Sequence, residues 1–135
     1  MRMPSSTKAD ALFLLDTSAI LAYLLNEPQA SRVAAFHPKA VLPFIALSEL
    51  YAALWLKFGQ DKADEAVVTV QQWRRPWLWP TPESTLLAGR WRACYRLGLG
   101  DSFIAALAFT YGATLVTKDS DFRVLERELR LLYLA

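Results

Sequence analysis

Leu12-Phe13-Leu14-Leu15-Asp16-Thr17-Ser18 decides how this chain is read. Four apolar residues in a row, stopped by an aspartate, describe a strand buried on both faces. Asp16, Thr17 and Ser18 are residue types that cap helices, so a helix follows at once, to about Leu25. Asn26-Glu27-Pro28 ends it. A strand passing directly into a helix is the opening of an α/β unit, and the rest of the chain repeats the theme.

A short helix to about Phe36 is broken by His37-Pro38, and Ala40-Val41-Leu42 reads as a second strand. Pro43 suits the first turn of a helix that runs to Phe58 and closes at Gly59. Asp61 starts another helix, ending before Pro76, and Trp77-Leu78-Trp79 is a short strand between prolines. Pro82-Glu83 opens a helix to about Leu97, and Gly98-Leu99-Gly100 reads as a turn. Asp101 or Ser102 then caps a helix through Tyr111, with Gly112 at its end. Thr114-Leu115-Val116 is a strand, Lys118–Asp121 a loop, Phe122–Leu129 a short helix, and Leu131–Leu134 a closing strand. Five strands separated by helices predict a mostly parallel sheet of about five strands, covered on both faces as a three-layer α/β/α sandwich.

Composition agrees with one such domain. The chain has 135 residues, 54% hydrophobic and 21% charged, with a formal charge of +2. Those values exclude a disordered chain and a polybasic tail. The single cysteine, Cys94, cannot form an internal disulfide, which points to a reducing compartment, most simply the cytoplasm. Asp16 interrupts the apolar run Ala11–Leu25, which argues against a signal peptide or a membrane span. Residues 1–10 are polar and are expected to be flexible, leaving residues 11–135 as the folded domain.

Ligands in parallel sheets sit beyond the carboxyl ends of the strands. Asp16 lies there directly, and Asp119 lies three residues past Val116. Each also has an ordinary role, Asp16 as a helix cap and Asp119 as a turn former. Glu49 shares its helix face with Ile45, Ala46, Ala52 and Ala53, where a carboxylate needs a cation, an internal ion pair or an interface. Asp101 has Ile104, Ala105 and Ala108 along its face and is also a candidate N-cap. Asp121 is a further ligand, a supporting group or the cap of the next helix. Acidic groups that converge on one pocket repel one another unless a hard cation joins them, and oxygen-only donors suit Mg²⁺ or Mn²⁺ rather than zinc. Such an ion activates water and stabilises charge on a phosphoryl oxygen.

The residues resemble those of PIN-domain ribonucleases, most of all the VapC-type toxins of toxin–antitoxin pairs. The matching stretches are Leu14–Leu21, Leu47–Leu54, Leu99–Ala108 and Ala113–Phe122, in that order, and the resemblance spans about Leu12 to Leu134. It implies a five-stranded parallel sheet with helices on both sides. It also implies Mg²⁺- or Mn²⁺-dependent RNA hydrolysis by Asp16, Glu49, Asp101 and Asp119. Asp121 competes for the fourth place and counts as a further metal ligand, with Thr17 and Thr117 as supporting hydroxyls. The mechanism that the resemblance implies is in-line attack of water on the scissile phosphate, giving a 5′-phosphate and a 3′-hydroxyl. A cognate antitoxin and a homodimer are the implied partners, with Leu50, Leu54 and Trp55 as a candidate contact face. Ser102 departs from the alanine usual after the third aspartate, without disabling the site.

Five arginines, Arg74, Arg75, Arg90, Arg92 and Arg96, lie among Trp73, Trp77, Trp79 and Trp91. Arg90 and Arg92 are candidate RNA contacts or a solvated helix face, and the tryptophans are read mainly as core or partner packing. Other chemistries fit worse. A haloacid-dehalogenase-type phosphatase needs an aspartate where Ser18 stands, and a receiver domain needs an acidic pair that is missing. Gly98-Leu99-Gly100 follows no strand, as a dinucleotide loop would, and Cys94 with His37 has no thiol-catalyst signature. The alternative with weight is a PIN-like module that binds RNA or protein without cleaving.

Overall fold

In a computed structural model, residues 11–134 are described; the segment expected to be flexible, residues 1–10, lies outside them. The order is β1 (Phe13–Leu15), α1 (Thr17–Leu24), α2 (Ala30–Phe36), a 3-10 turn (His37–Lys39), β2 (Ala40–Pro43), α3 (Phe44–Phe58) and α4 (Gln60–Gln72). There follow β3 (Trp77–Leu78), α5 (Pro82–Tyr95), α6 (Leu99–Thr110), β4 (Thr114–Thr117), a second 3-10 turn (Ser120–Leu125) and β5 (Leu131–Tyr133). All strand pairs are parallel, in the order β3-β2-β1-β4-β5. The expected five-stranded sandwich is the observed one.

Adjacent residues of each central strand enter opposite cores, because side chains alternate across a strand. Leu14, Val41 and Leu115 pack under α5 and α6 with Trp91, Ile104, Leu107 and Phe122. Leu15, Leu42 and Val116 pack under α1 to α4 with Ile20, Val33, Leu50 and Val70. This is why the strands read as continuous apolar runs rather than alternating ones. Between α3 and α4 only Gly59 intervenes, at φ +90°, a backbone that favours a residue without Cβ.

Several boundaries differ from the sequence reading, three of them for a plain local reason. Pro43 closes β2 and precedes the helix that it was expected to enter. The Gly98-Leu99-Gly100 turn is instead the start of α6, with Gly98 as N-cap, so Asp101 lies within the first turn and does not cap it. Ser102 does not cap either; its hydroxyl donates to the carbonyls of Gly98 (2.8 Å) and Leu99 (2.9 Å). After β4 the expected α-helix is a 3-10 turn capped by Asp119, whose carboxylate accepts from the Asp121 amide at 2.9 Å.

β1 is the central strand, and the chain leaves it toward β2 and β3 on one side and β4 and β5 on the other. The carboxyl end of β1 is thus a topological switch point, where such sheets open a crevice. Asp16 stands there.

Candidate metal centre

Asp16 is held from three directions. It is 3% exposed and is the N-cap of α1, its Oδ1 accepting from the Ala19 amide at 2.9 Å and the Ser18 hydroxyl at 2.6 Å. Its Oδ2 accepts from the Thr117 hydroxyl at 2.5 Å. The cap expected of Asp16 and the strand-end site expected of it therefore coexist in one side chain.

Two hydroxyls carry that hold to the loop after β4. Thr117 Oγ1 accepts from the Asp119 amide and Ser18 Oγ from the Lys118 amide, both at 2.9 Å. The Asp119 backbone is thereby fixed relative to Asp16, a residue 103 positions earlier in the chain. Lys118 itself turns away, its Nζ 2.8 Å from Glu27 Oε1. Ser18 had been legible only as a cap residue; its hydroxyl contact to Asp16 is a site role that the Asp-Thr-Ser order alone did not reveal.

Glu49 comes from α3, in the helical layer on one face of the sheet. Its Oε1 accepts from the Thr17 hydroxyl at 2.5 Å, so α1 and α3 present their polar groups to one point. Asp101 comes from α6, on the opposite face. Gly100 brings the two helices together, because a Cβ there would run into the Glu49 carboxylate. That close approach is the second feature missed in the sequence, where Gly100 looked like part of a turn.

Asp16, Glu49, Asp101 and Asp119 line one cleft of about 250 Å³, with Thr17 and Ser18 beside them. Asp121 stands exposed at its rim, and single carboxylate oxygens of Asp101, Asp119 and Asp121 lie within 4.8 Å of one another. The five acidic candidates are thus gathered, as are both supporting threonines. Arg90 and Arg92 are not; they are exposed on α5 and do not line the cleft. Of the tryptophans, Trp91 is buried and Trp79 is 63% exposed; Leu50 and Leu54 are core residues, so only Trp55 of that proposed contact face reaches solvent.

Charge in the cleft is unbalanced. None of the five carboxylates makes an ion pair among the described residues. Burial pushes Asp16 up from 3.8 to about 6, against the opposing effect of its three hydrogen bonds. Asp101 is also pushed up to about 6, by burial first and then by Asp119, Glu49, Asp16 and Asp121. Like charges held this close need a cation, and every donor is an oxygen, with neither His nor Cys in the set. Such a set fits a hard divalent ion such as Mg²⁺ or Mn²⁺.

Comparison with known proteins follows the same line. The family model described as PIN domain matches residues 13–128. No curated protein matches the chain. Among solved structures, the chain is similar to VapBC-1 from nontypeable Haemophilus influenzae, with a TM-score of 0.71 and 23% identity over 91% of this chain and 98% of that one. It is also similar to the DNA-bound VapBC of Salmonella typhimurium, with a TM-score of 0.72 and 23% identity over 93% and 99%. A third is VapC20 of Mycobacterium tuberculosis, described as a sarcin-ricin loop cleaving toxin (TM-score 0.69, 20% identity, 83% and 93% covered). At these identities the likeness establishes the fold.

Proposed function

Since this chain belongs to the PIN-domain family, we propose that it is a Mg²⁺- or Mn²⁺-dependent endoribonuclease, acting as the toxin of a type II toxin–antitoxin pair. The observation that carries the reading is the convergence of Asp16, Glu49, Asp101 and Asp119 on one cleft without a basic partner among the described residues. A module that only bound RNA would gain nothing from gathered negative charge, which repels phosphate. The antitoxin is proposed because similar structures are toxin–antitoxin complexes, and the ribonuclease activity is consistent with what VapC20 is described as cleaving. A homodimer is proposed as the working assembly and the cytoplasm as its place. No helix among the described residues is long and apolar enough to cross a membrane.

In this reading Asp16, Glu49, Asp101 and Asp119 hold the divalent ion, with Asp121 at the rim. The ion, when bound, supplies charge neutralisation at the phosphate and acidifies water. The protein's own groups provide position. Asp16 is immobilised by Ala19, Ser18 and Thr117, so its orientation needs no rearrangement when substrate arrives. Thr17 orients the Glu49 carboxylate toward the cleft. Asp119 has one oxygen engaged by the Asp121 amide; its second, without a partner among the described residues, would orient the attacking water. Arg90 and Arg92 contribute, in this proposal, to holding the RNA backbone farther out.

The test is cleavage of a mixed single-stranded RNA pool with Mn²⁺, with EDTA, and by Asp101→Asn. Cleavage by the wild-type protein that stops with chelator and in the variant is the expected result. Cleavage indifferent to both overturns the metal mechanism; RNA binding without any cleavage makes the protein a binding module.

A further inference from the structure

Beyond the carboxylates, one cation stands without an assigned task on the turn that Asp119 caps and that carries Asp121. We propose that Arg123, laid over the ring of Tyr133, is a phosphate-binding subsite that grips the RNA chain next to the reacting bond. The proposal rests on the ribonuclease reading and names a substrate contact of that same site.

Position is fixed by the fold. Tyr133 is the register partner of Thr117, so their side chains leave the sheet on the same face. Leu131 and Leu115, one step of alternation earlier, identify that face as the one covered by α6, which carries Asp101. Thr117 holds Asp16 from the neighbouring strand. Arg123 is two residues past Asp121 in the 3-10 turn, and its guanidinium carbon sits 4.6 Å from the centre of the Tyr133 ring. The same turn is capped by Asp119 and carries Asp121, so Arg123 belongs to the loop that supplies two members of the acidic cluster.

Chemistry then narrows the role. A polyanion entering a cleft with five carboxylates needs fixed positive charge at its edge as well as a divalent ion. Lys118, the other basic residue on this loop, is engaged with Glu27. Arg123 is exposed and its guanidinium makes no hydrogen bond or ion pair among the described residues, while its stacking on the ring restricts where the planar fork points. A guanidinium pre-placed in this way, with its donors unspent, suits phosphate oxygens. The Tyr133 hydroxyl has no partner among the described residues, so the ring alone is the platform.

The experiment measures binding of a 5′-labelled, mixed-sequence single-stranded RNA by Asp101→Asn protein over a salt series, beside cleavage by the otherwise wild-type protein. Adding Arg123→Ala should weaken binding roughly fivefold. It should also flatten the slope of log affinity against log salt by about 0.7, the loss of one phosphate contact to a single strand. Arg123→Lys should keep the slope and lose part of the affinity; Tyr133→Phe should behave as the parent and Tyr133→Leu should lose affinity. In cleavage, Arg123→Ala should raise KM more than it lowers kcat. Arg32→Ala, an equal change of net charge on α2, should leave the slope alone. Unchanged affinity and slope for Arg123→Ala, or an equal flattening by Arg32→Ala, overturns the subsite while wild-type cleavage leaves the ribonuclease reading standing. Failure of the wild-type protein to bind or cleave removes both.

Discussion

Replacing Asp101 by asparagine should strengthen the metal-free fold while abolishing activity. The Asp101 carboxylate accepts no hydrogen bond among the described residues and is pushed from 3.8 to about 6 by burial and by four neighbouring carboxylates. Because the folded state holds that proton more tightly than the unfolded state, the stability it contributes is present below the ordinary pKa and is lost as pH rises through about 6. A rise of that size corresponds to roughly 3 kcal/mol. Asp101 is half-open, and solvent screening reduces the figure to about 1–1.5 kcal/mol. Asparagine cannot ionise and escapes the loss. Urea unfolding in EDTA, followed by tryptophan fluorescence, should therefore give equal midpoints for the two proteins at about pH 3, below the ordinary carboxyl value. At about pH 8 the variant should be the more stable by about 1–1.5 kcal/mol, or roughly 3–5 °C in Tm for a chain of this size. Equal midpoints at the higher pH, or a less stable variant, would refute the claim that the cleft is electrostatically strained.

Three further outcomes follow from the same geometry. Thr117→Val removes the hydroxyl shared by Asp16 Oδ2 and the Asp119 amide; Asp16 keeps its bonds to Ser18 and Ala19 while Oδ2 and the half-buried amide lose their partner, so stability should fall by about 2 kcal/mol in urea unfolding and cleavage should fall with it. Gly100→Ala should displace the Glu49 carboxylate and lower kcat on the order of a hundredfold in RNA cleavage, as small misplacements at a reacting centre do. Lys118→Ala breaks only an exposed pair with Glu27, and thermal unfolding should show a loss below about 1 kcal/mol.

The architecture was readable because the central strands are buried on both faces and hence almost free of polar residues. Leu12–Leu15 and Thr114–Val116 needed no partner to be recognised. Errors gathered where one residue type serves two backbone roles. Glycines at 98 and 100 suggested a turn, yet Gly98 caps α6 and Gly100 lies inside it, its missing side chain used for contact with Glu49 rather than for backbone freedom. That use depends on α3, a segment some fifty residues earlier in the chain, and local pattern carries no trace of it. Likewise Asp119 caps the 3-10 turn after β4 because its carboxylate meets the Asp121 amide, a matter of side-chain rotation that sequence leaves open.

The acidic residues were legible by position, but their cooperation depends on hydroxyls. Asp16 shows why capping and ion binding need not compete. The α1 amide and two hydroxyls come to its oxygens from the protein side, while the carboxylate still lines the cleft. A carboxylate oxygen has lone pairs for both tasks. The hydrogen bonds also favour the ionised form, opposing the burial that would keep a proton on it. Without Ser18 and Thr117 the same aspartate in the same place would rise further toward the neutral form and bind a divalent ion less well. The short polar run after β1 and the threonine ending β4 therefore belong to the proposed centre, because they help keep its most buried carboxylate available as an anion.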